Sequence, residues 1–235
     1  MQPVFVLVHS PSVGPLTWQP VAERLAARGH ECIVPSLLDV ADAGEPFWPR
    51  VVDDVAAATS RLDRAQQMLL VAHSNAGLFV PLLVKHAVRS VRGCLFVDAA
   101  LPPRADSTPV VPAELLDILR GKVTNGRLPP WTEWWDEQDV APMFPDPQTR
   151  AAATAEQPRL PLAYYEQAVP VPIGWDTGPC GYLFFGPPYD EVAADARRRG
   201  WLVEELPGQH LHQIVDPDSV GDRLITMAQR LAATT

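Results

Sequence analysis

The chain has 235 residues, 47% of them apolar, and a formal net charge of -9. That length and apolar content suffice for a single domain with a large core, while an acidic chain without clustered Lys and Arg is poorly suited to neutralise a phosphate backbone, so nucleic acid is excluded as a partner. The 3 cysteines, Cys32, Cys94 and Cys180, are too few and too scattered for a disulfide framework or a zinc spacing. No apolar stretch reaches the roughly 18 residues of a membrane span, and Met1-Gln2-Pro3 runs straight into an apolar segment with no basic, cleavable leader. The expectation is a cytoplasmic protein with no membrane partner.

Residues 4–9, Val-Phe-Val-Leu-Val-His, form an apolar run of strand length that ends in Ser10-Pro11-Ser12-Val13-Gly14-Pro15. Residues 18–28 show helical spacing, with Trp18, Val21 and Leu25 on one face. Further strands are expected at 31–35, 68–73 and 94–98, each short and apolar on both faces, as parallel strands covered by helices are. After Asp98 the alternation stops. Residues 101–179 carry many prolines, the tryptophans Trp131, Trp134 and Trp135, and helical fragments at 112–120 and 149–155, and are expected to form an inserted helical cap. Alternation resumes with a strand at 181–185, a helix at 190–200, a strand at 201–206 and a final helix from Pro217. There Val220, Leu224, Met227 and Leu231 keep the spacing of a buried face, and Asp216-Pro217 supplies an N-cap and a first-turn proline.

The stretch Met68-Leu69-Leu70-Val71-Ala72-His73-Ser74-Asn75-Ala76-Gly77 carries the strongest chemical signal, because an apolar strand runs into a serine flanked by small residues. A serine on a sharp strand-to-helix turn holds strained backbone angles that push its hydroxyl outward, and the residues two before and two after must be small for the turn to close. Ala72 and Ala76 meet that demand in a degenerate form of Gly-x-Ser-x-Gly, although an ordinary turn with a serine N-cap fits the same residues. Far downstream, Leu206-Pro207-Gly208-Gln209-His210 follows another strand, and Pro217 stands seven residues after the histidine.

Taken together, these segments resemble the α/β-hydrolase superfamily, and within it the small group that includes plant esterases and hydroxynitrile lyases. The similarity covers nearly the whole sequence and is most specific at residues 4–18, 68–77 and 208–217. It implies an α/β-hydrolase fold, with a mostly parallel, doubly covered sheet. Residues 1–100 and 180–235 would form the core and 101–179 the cap, within one structural domain. It also implies a Ser-Asp-His order along the chain.

Ser74 is the expected nucleophile. A serine hydroxyl needs a base with a pKa near neutral, which histidine offers, and a carboxylate to orient that histidine. His210 fits the base, with His212 as the neighbouring rival; His73 is expected in a packing or turn role, and His30 and His86 at the surface or a helix end. For the acid, the superfamily commonly uses the loop after the strand at 181–185, which makes Asp190 the first choice, although a helix N-cap is its ordinary role. Asp98 is the alternative, since some members carry the acid one strand earlier.

An oxyanion would be held by the backbone N–H of Asn75 and by a second donor from the loop after the first strand. The residue at that second position is Pro11, which has no N–H, so the Ser10 hydroxyl or the backbone of Ser12 would have to serve. Hydroxynitrile lyases also carry a hydroxyl side chain after this histidine, which Ser10 resembles. Trp131, Trp134 and Trp135, with Tyr164, Tyr165 and Trp175, are expected to form an apolar roof over a small-molecule substrate. The expected activity is hydrolysis of an ester, thioester or lactone of a small, fairly apolar substrate. A lyase or cyclase using Ser74 and His210 as acid-base groups is the alternative, and a non-catalytic ligand-binding protein the third reading. No metal, nucleotide or flavin motif is present, so the chemistry is expected to be free of cofactors.

Overall fold

In the computed structural model, which describes residues 2–233, strand β1 (Val4–Val8) leads into helix α1 (Gln19–Ala27), β2 (Cys32–Ile33), α2 (Trp48–Thr59), β3 (Met68–His73), α3 (Val80–Lys85) and β4 (Val91–Val97). The segment that follows contains β5 (Ser107–Pro109), α4 (Ala113–Arg120), α5 (Glu137–Val140), α6 (Pro147–Glu156), α7 (Leu162–Glu166) and β6 (Ala168–Pro170). The chain then returns through β7 (Cys180–Phe184), α8 (Asp190–Arg198), β8 (Leu202–Glu205), α9 (His212–Val215) and α10 (Pro217–Ala233).

Six strands make one sheet in the order β2-β1-β3-β4-β7-β8, every neighbouring pair parallel. The apolar runs read from the sequence have the cause expected of them: successive side chains of a strand point to opposite faces, and both faces are covered. Val4, Val6, Val8, Leu70, Ala72 and Phe96 pack into one cluster with Val51, Val55 and Leu82. Phe5, Leu7, Leu69, Val71, Leu95 and Val97 alternate with them and pack on the other side against Trp18, Val21, Leu25, Val220, Leu224 and Met227. The long segment between β4 and β7 leaves and rejoins the sheet at adjacent strands, and its β5 and β6 pair antiparallel outside that sheet.

Three expectations shift in detail. The second strand is only two residues long, at one edge of the sheet. The helix after Ser74 opens as a 3-10 turn over Ser74–Phe79, and α3 begins only afterwards, with Pro81 in its first turn. At the opposite edge, β8 runs Leu202–Glu205 and its Glu204 pairs with Arg223 and Arg230 of α10. Among the described residues, no helix is long and apolar enough to cross a membrane.

Leu224 is fully buried between α10 and the sheet. Truncation to alanine leaves a cavity as well as losing transfer energy, and Leu224→Ala should reduce the free energy of unfolding by about 2–5 kcal/mol in a urea titration. A loss under about 1 kcal/mol would mean that α10 is not packed on the sheet as described.

Candidate active site

Ser74 is the first residue beyond β3, and its φ of 58° lies in the left-handed region that non-glycine residues rarely adopt. Its carbonyl accepts a hydrogen bond from the N–H of Ala100 at 3.0 Å, which ties this turn to the one that ends β4. Ala76, the small position expected, is fully buried, and the next residue, Gly77, is limited in size as well. A Cβ at Gly77 would lie 2.1 Å from the Ala100 carbonyl oxygen.

Asp98 ends β4 in the same way, with φ 43°, and is 1% exposed. Its backbone is fixed on both sides. Its N–H donates to the Leu183 carbonyl at 2.8 Å, and the Tyr182 hydroxyl accepts from the Ala99 N–H at 3.1 Å while donating to the Ala99 carbonyl at 2.9 Å. One carboxylate oxygen accepts the Phe185 N–H at 3.1 Å and the other accepts from Nδ1 of His210 at 2.7 Å. A carboxylate can only accept, so Nδ1 carries the proton and Nε2 is left to accept from the Ser74 hydroxyl, 2.9 Å away.

The first choice for the carboxylate is therefore corrected: Asp98 sits on His210, and Asp190 does not. Asp190 is the exposed first residue of α8. The loop after β7 turns so that Tyr189, the residue before it, faces the imidazole. The Tyr189 ring lies parallel to His210, with centroids 5.2 Å apart and an interplanar angle of 8°. Nothing in the residue types marks this tyrosine.

Two other rings surround His210. Trp131 lies 6.0 Å away and tilted, so of the three tryptophans at 131–135 it is the one brought to the histidine. His73 is 4.6 Å away, and its Nε2–H donates to the His210 backbone carbonyl at 2.8 Å. Complete burial, with the neighbouring His210 as a smaller cause, pushes the His73 pKa well below its ordinary value and keeps this ring neutral. His212 turns elsewhere, edge-on to Phe185 at 5.4 Å.

The loop after β1 is held from within. His9 is fully buried; its Nδ1–H donates to the Ser10 carbonyl at 2.8 Å and its Nε2 accepts the Leu37 N–H at 3.1 Å. Burial lowers its pKa to about 4. The Ser12 N–H donates to the Ser10 hydroxyl at 3.3 Å, and the Ser12 hydroxyl bonds the Tyr165 phenol at 2.7 Å. Both serines expected near the oxyanion are thus partly engaged. The Asn75 side chain is engaged as well, donating to the Val110 carbonyl at 2.8 Å and accepting from the Tyr164 hydroxyl at 2.6 Å, so it anchors the inserted segment. Its backbone N–H lies in the first turn after Ser74.

The remaining roof candidates have other surroundings. Trp134 is buried, donates its indole N–H to the Pro129 carbonyl at 2.9 Å and packs edge-on to Tyr165, a layer behind Ser12. Trp135 is 38% exposed beside Trp134. Trp175 packs on Phe96 and Trp201.

With this geometry described, comparison with known proteins places the chain. No family model matches it. Among solved structures, a variant of tomato methylketone synthase I complexed with beta-ketoheptanoate superimposes with a TM-score of 0.77 at 15% identity, covering 98% of each chain. Polyneuridine aldehyde esterase gives 0.75 at 16% identity, over 97% of this chain and all of that one. An extracellular α/β-hydrolase from a Paenibacillus species, described as sharing structural and functional homology with tobacco salicylic acid binding protein 2, gives 0.73 at 17% identity, over 96% and 98% of the two chains. The protein has the α/β-hydrolase fold. In sequence it is similar to esterase PIR7B of Oryza sativa subsp. japonica, 32% identical over 107 residues, a stretch that spans 42% of this chain and only 39% of the relative's length.

The buried His9 makes a prediction about acid. Between pH 6.5 and about 4 the unfolded chain binds a proton at this histidine that the folded chain does not, so stability is present above that window and falls as pH drops through it. Unfolding free energies measured at pH 7.5 and pH 5 should differ by about 2 kcal/mol less in His9→Gln than in the wild-type protein. An unchanged difference would show that His9 takes up its proton in the folded state as readily as in the unfolded one.

Proposed function

We propose that the protein is a serine hydrolase that cleaves an ester, thioester or lactone of a small, fairly apolar substrate, with Ser74 as nucleophile, His210 as general base and Asp98 as its orienting carboxylate. The observation that supports this most directly is the unbroken hydrogen-bonded series from Asp98 through His210 to a serine held at φ 58°. Ser74 Oγ attacks the substrate carbonyl carbon while its proton passes to His210 Nε2, and the carboxylate of Asp98 stabilises the imidazolium that forms. The imidazolium then gives that proton to the leaving oxygen or sulfur. Water attacks the acyl-serine with the same histidine as base. The Asn75 N–H stabilises the oxyanion, and residues 101–179 act as a cap whose Trp131 borders the reacting centre.

Pro11 favours a second reading, a lyase or cyclase in which Ser74 and His210 move protons and no acyl-enzyme forms, because the usual second oxyanion amide is missing there. A panel of p-nitrophenyl esters and lactones, followed by intact mass spectrometry, separates the two: an acyl adduct on Ser74 and turnover support hydrolysis. Ser74→Ala should lose at least about a thousandfold in kcat/KM. Asp98→Asn should lose about 1,000- to 10,000-fold, by leaving His210 in the wrong tautomer, while Asp190→Asn stays within about twofold of wild type, as a surface change should. No turnover and no adduct across the panel would overturn the hydrolase reading.

A further inference from the structure

His73 is buried beside the nucleophile, and the reaction described so far does not use it. It ends β3 in extended backbone, φ −107° and ψ 140°, and its ring lies between two others: edge-on to Trp18, 6.0 Å between centroids, and tilted on His210, 4.6 Å between centroids. Its Nδ1 is buried and has no partner among the described residues, so the ring is engaged through Nε2 alone, by the 2.8 Å bond from Nε2–H to the His210 carbonyl. That bond meets a stretch of chain, residues 206–211, that forms neither helix nor strand. The N–H groups of Leu206 and Gly208 donate to the Phe184 and Phe185 carbonyls at 2.9 Å, both ahead of the histidine, and the His212 N–H turns back onto the Gln209 carbonyl. The bond from His73 reaches the backbone of His210 itself. Because His73 and Ser74 are consecutive, this pair of residues is joined to His210 twice, by Ser74 Oγ at its Nε2 and by the His73 ring at its carbonyl.

We propose that His73 is a positioning residue for the general base, which bonds the His210 carbonyl from the residue next to Ser74 and so sets the imidazole in register with the nucleophile. The proposal rests on reading Ser74 as the nucleophile and His210 as its base. A proton passes from Oγ to Nε2 only when the two are close and aligned, and a misplacement on the order of 1 Å in such a pair costs about a hundredfold in rate. Asp98 holds the imidazole at Nδ1, a single point about which the ring and its backbone can still swing; a second point fixed at the carbonyl removes that freedom. With both ends of the contact tied to residues 73 and 74, a shift at the end of β3 carries nucleophile and base together. His73 takes up no proton itself. Burial, and then the neighbouring His210, hold it well below the ordinary histidine value, so its Nε2–H stays a donor while His210 titrates.

Two amide variants separate this role from packing, because the glutamine amide nitrogen stands where Nε2 of histidine does, whereas that of asparagine reaches only the place of Nδ1. The rate at which a fluorophosphonate labels Ser74, located by peptide mapping, reads the nucleophile and its base whatever the natural reaction is. Labelling of His73→Asn should be slower than wild type by about 10- to 100-fold, and His73→Gln should stay within about threefold of wild type, since it returns the donor. With an ester that the wild-type protein turns over, kcat should show the same split with KM within about twofold, because the alignment is needed in the transition state. The midpoint of the acid limb of kcat/KM should not move in His73→Gln, in which one neutral side chain replaces another. Wild-type rates in both variants would overturn the proposal. Equal losses in both, following their thermal midpoints, would overturn it too and leave His73 a packing role, and a displaced acid limb in His73→Gln would mean that the residue acts through charge instead. If a variant does not fold, the wild-type protein labelled with 15N-histidine still decides: His73 should keep its Nε2–H tautomer through the pH range in which His210 titrates, and an Nδ1–H tautomer or a protonated ring there would overturn the proposal. Rapid labelling of wild-type Ser74 without turnover of any ester would remove the hydrolase reading and leave the labelling rates of the variants to judge the proposal. A wild-type Ser74 that is not labelled would overturn it, since there would be no activated serine for the base to be aligned with.

Discussion

Two residues at the carboxyl ends of adjacent parallel strands, Ser74 after β3 and Asp98 after β4, sit in left-handed backbone conformations, and the organisation of the site follows from that constraint. Each conformation costs on the order of 1–3 kcal/mol and persists only where the surroundings over-determine it. Here the surroundings are identifiable. The turns are bonded to each other through Ala100 and Ser74, Gly77 leaves room for the Ala100 carbonyl, and Tyr182 grips Ala99 from the next strand. The doubly buried sheet supplies the stability that offsets the strain, and parallel register puts the two strained residues side by side.

The histidines divide the work by burial. His210 is 12% exposed at its side chain, between a carboxylate and a hydroxyl. His9 and His73 are buried, neutral, and used for their N–H groups, one bracing the loop after β1 and the other holding the His210 backbone. Desolvation keeps His73 neutral, so no second charge lies 4.6 Å from the His210 ring.

Much of the sheet was legible from residue types, since apolar runs of strand length such as 68–73 and the buried stripe Val220, Leu224, Met227 and Leu231 are local signals of a global fold. Ser74 and His210 were legible for the same reason, each lying at the end of a strand with small or turn-forming neighbours. The carboxylate was not. Asp98 and Asp190 both follow strands that are neighbours in the sheet, and only the backbone angle at Asp98 and the turn at 186–189 decide which side chain meets the imidazole. Tyr189 was missed because a tyrosine in a proline-rich loop has no distinguishing pattern. Of the tryptophans at 131–135, Trp131 and Trp134 differ in their surroundings through contacts with Pro129, Tyr165 and His210 that are distant from anything periodicity can register.

The two outer strands of the sheet bear on how copies of the chain behave toward one another. An open parallel sheet ends in rows of amides and carbonyls that could template another strand. One edge here is β2, only two residues long, too short to register a partner strand. At the other, β8 carries Glu204 clamped by Arg223 and Arg230, an ionic cluster that an incoming backbone would have to desolvate. Edge-to-edge growth of this sheet is thus opposed by brevity on one side and by charge on the other, and lengthening β2 or neutralising Glu204 would weaken that opposition.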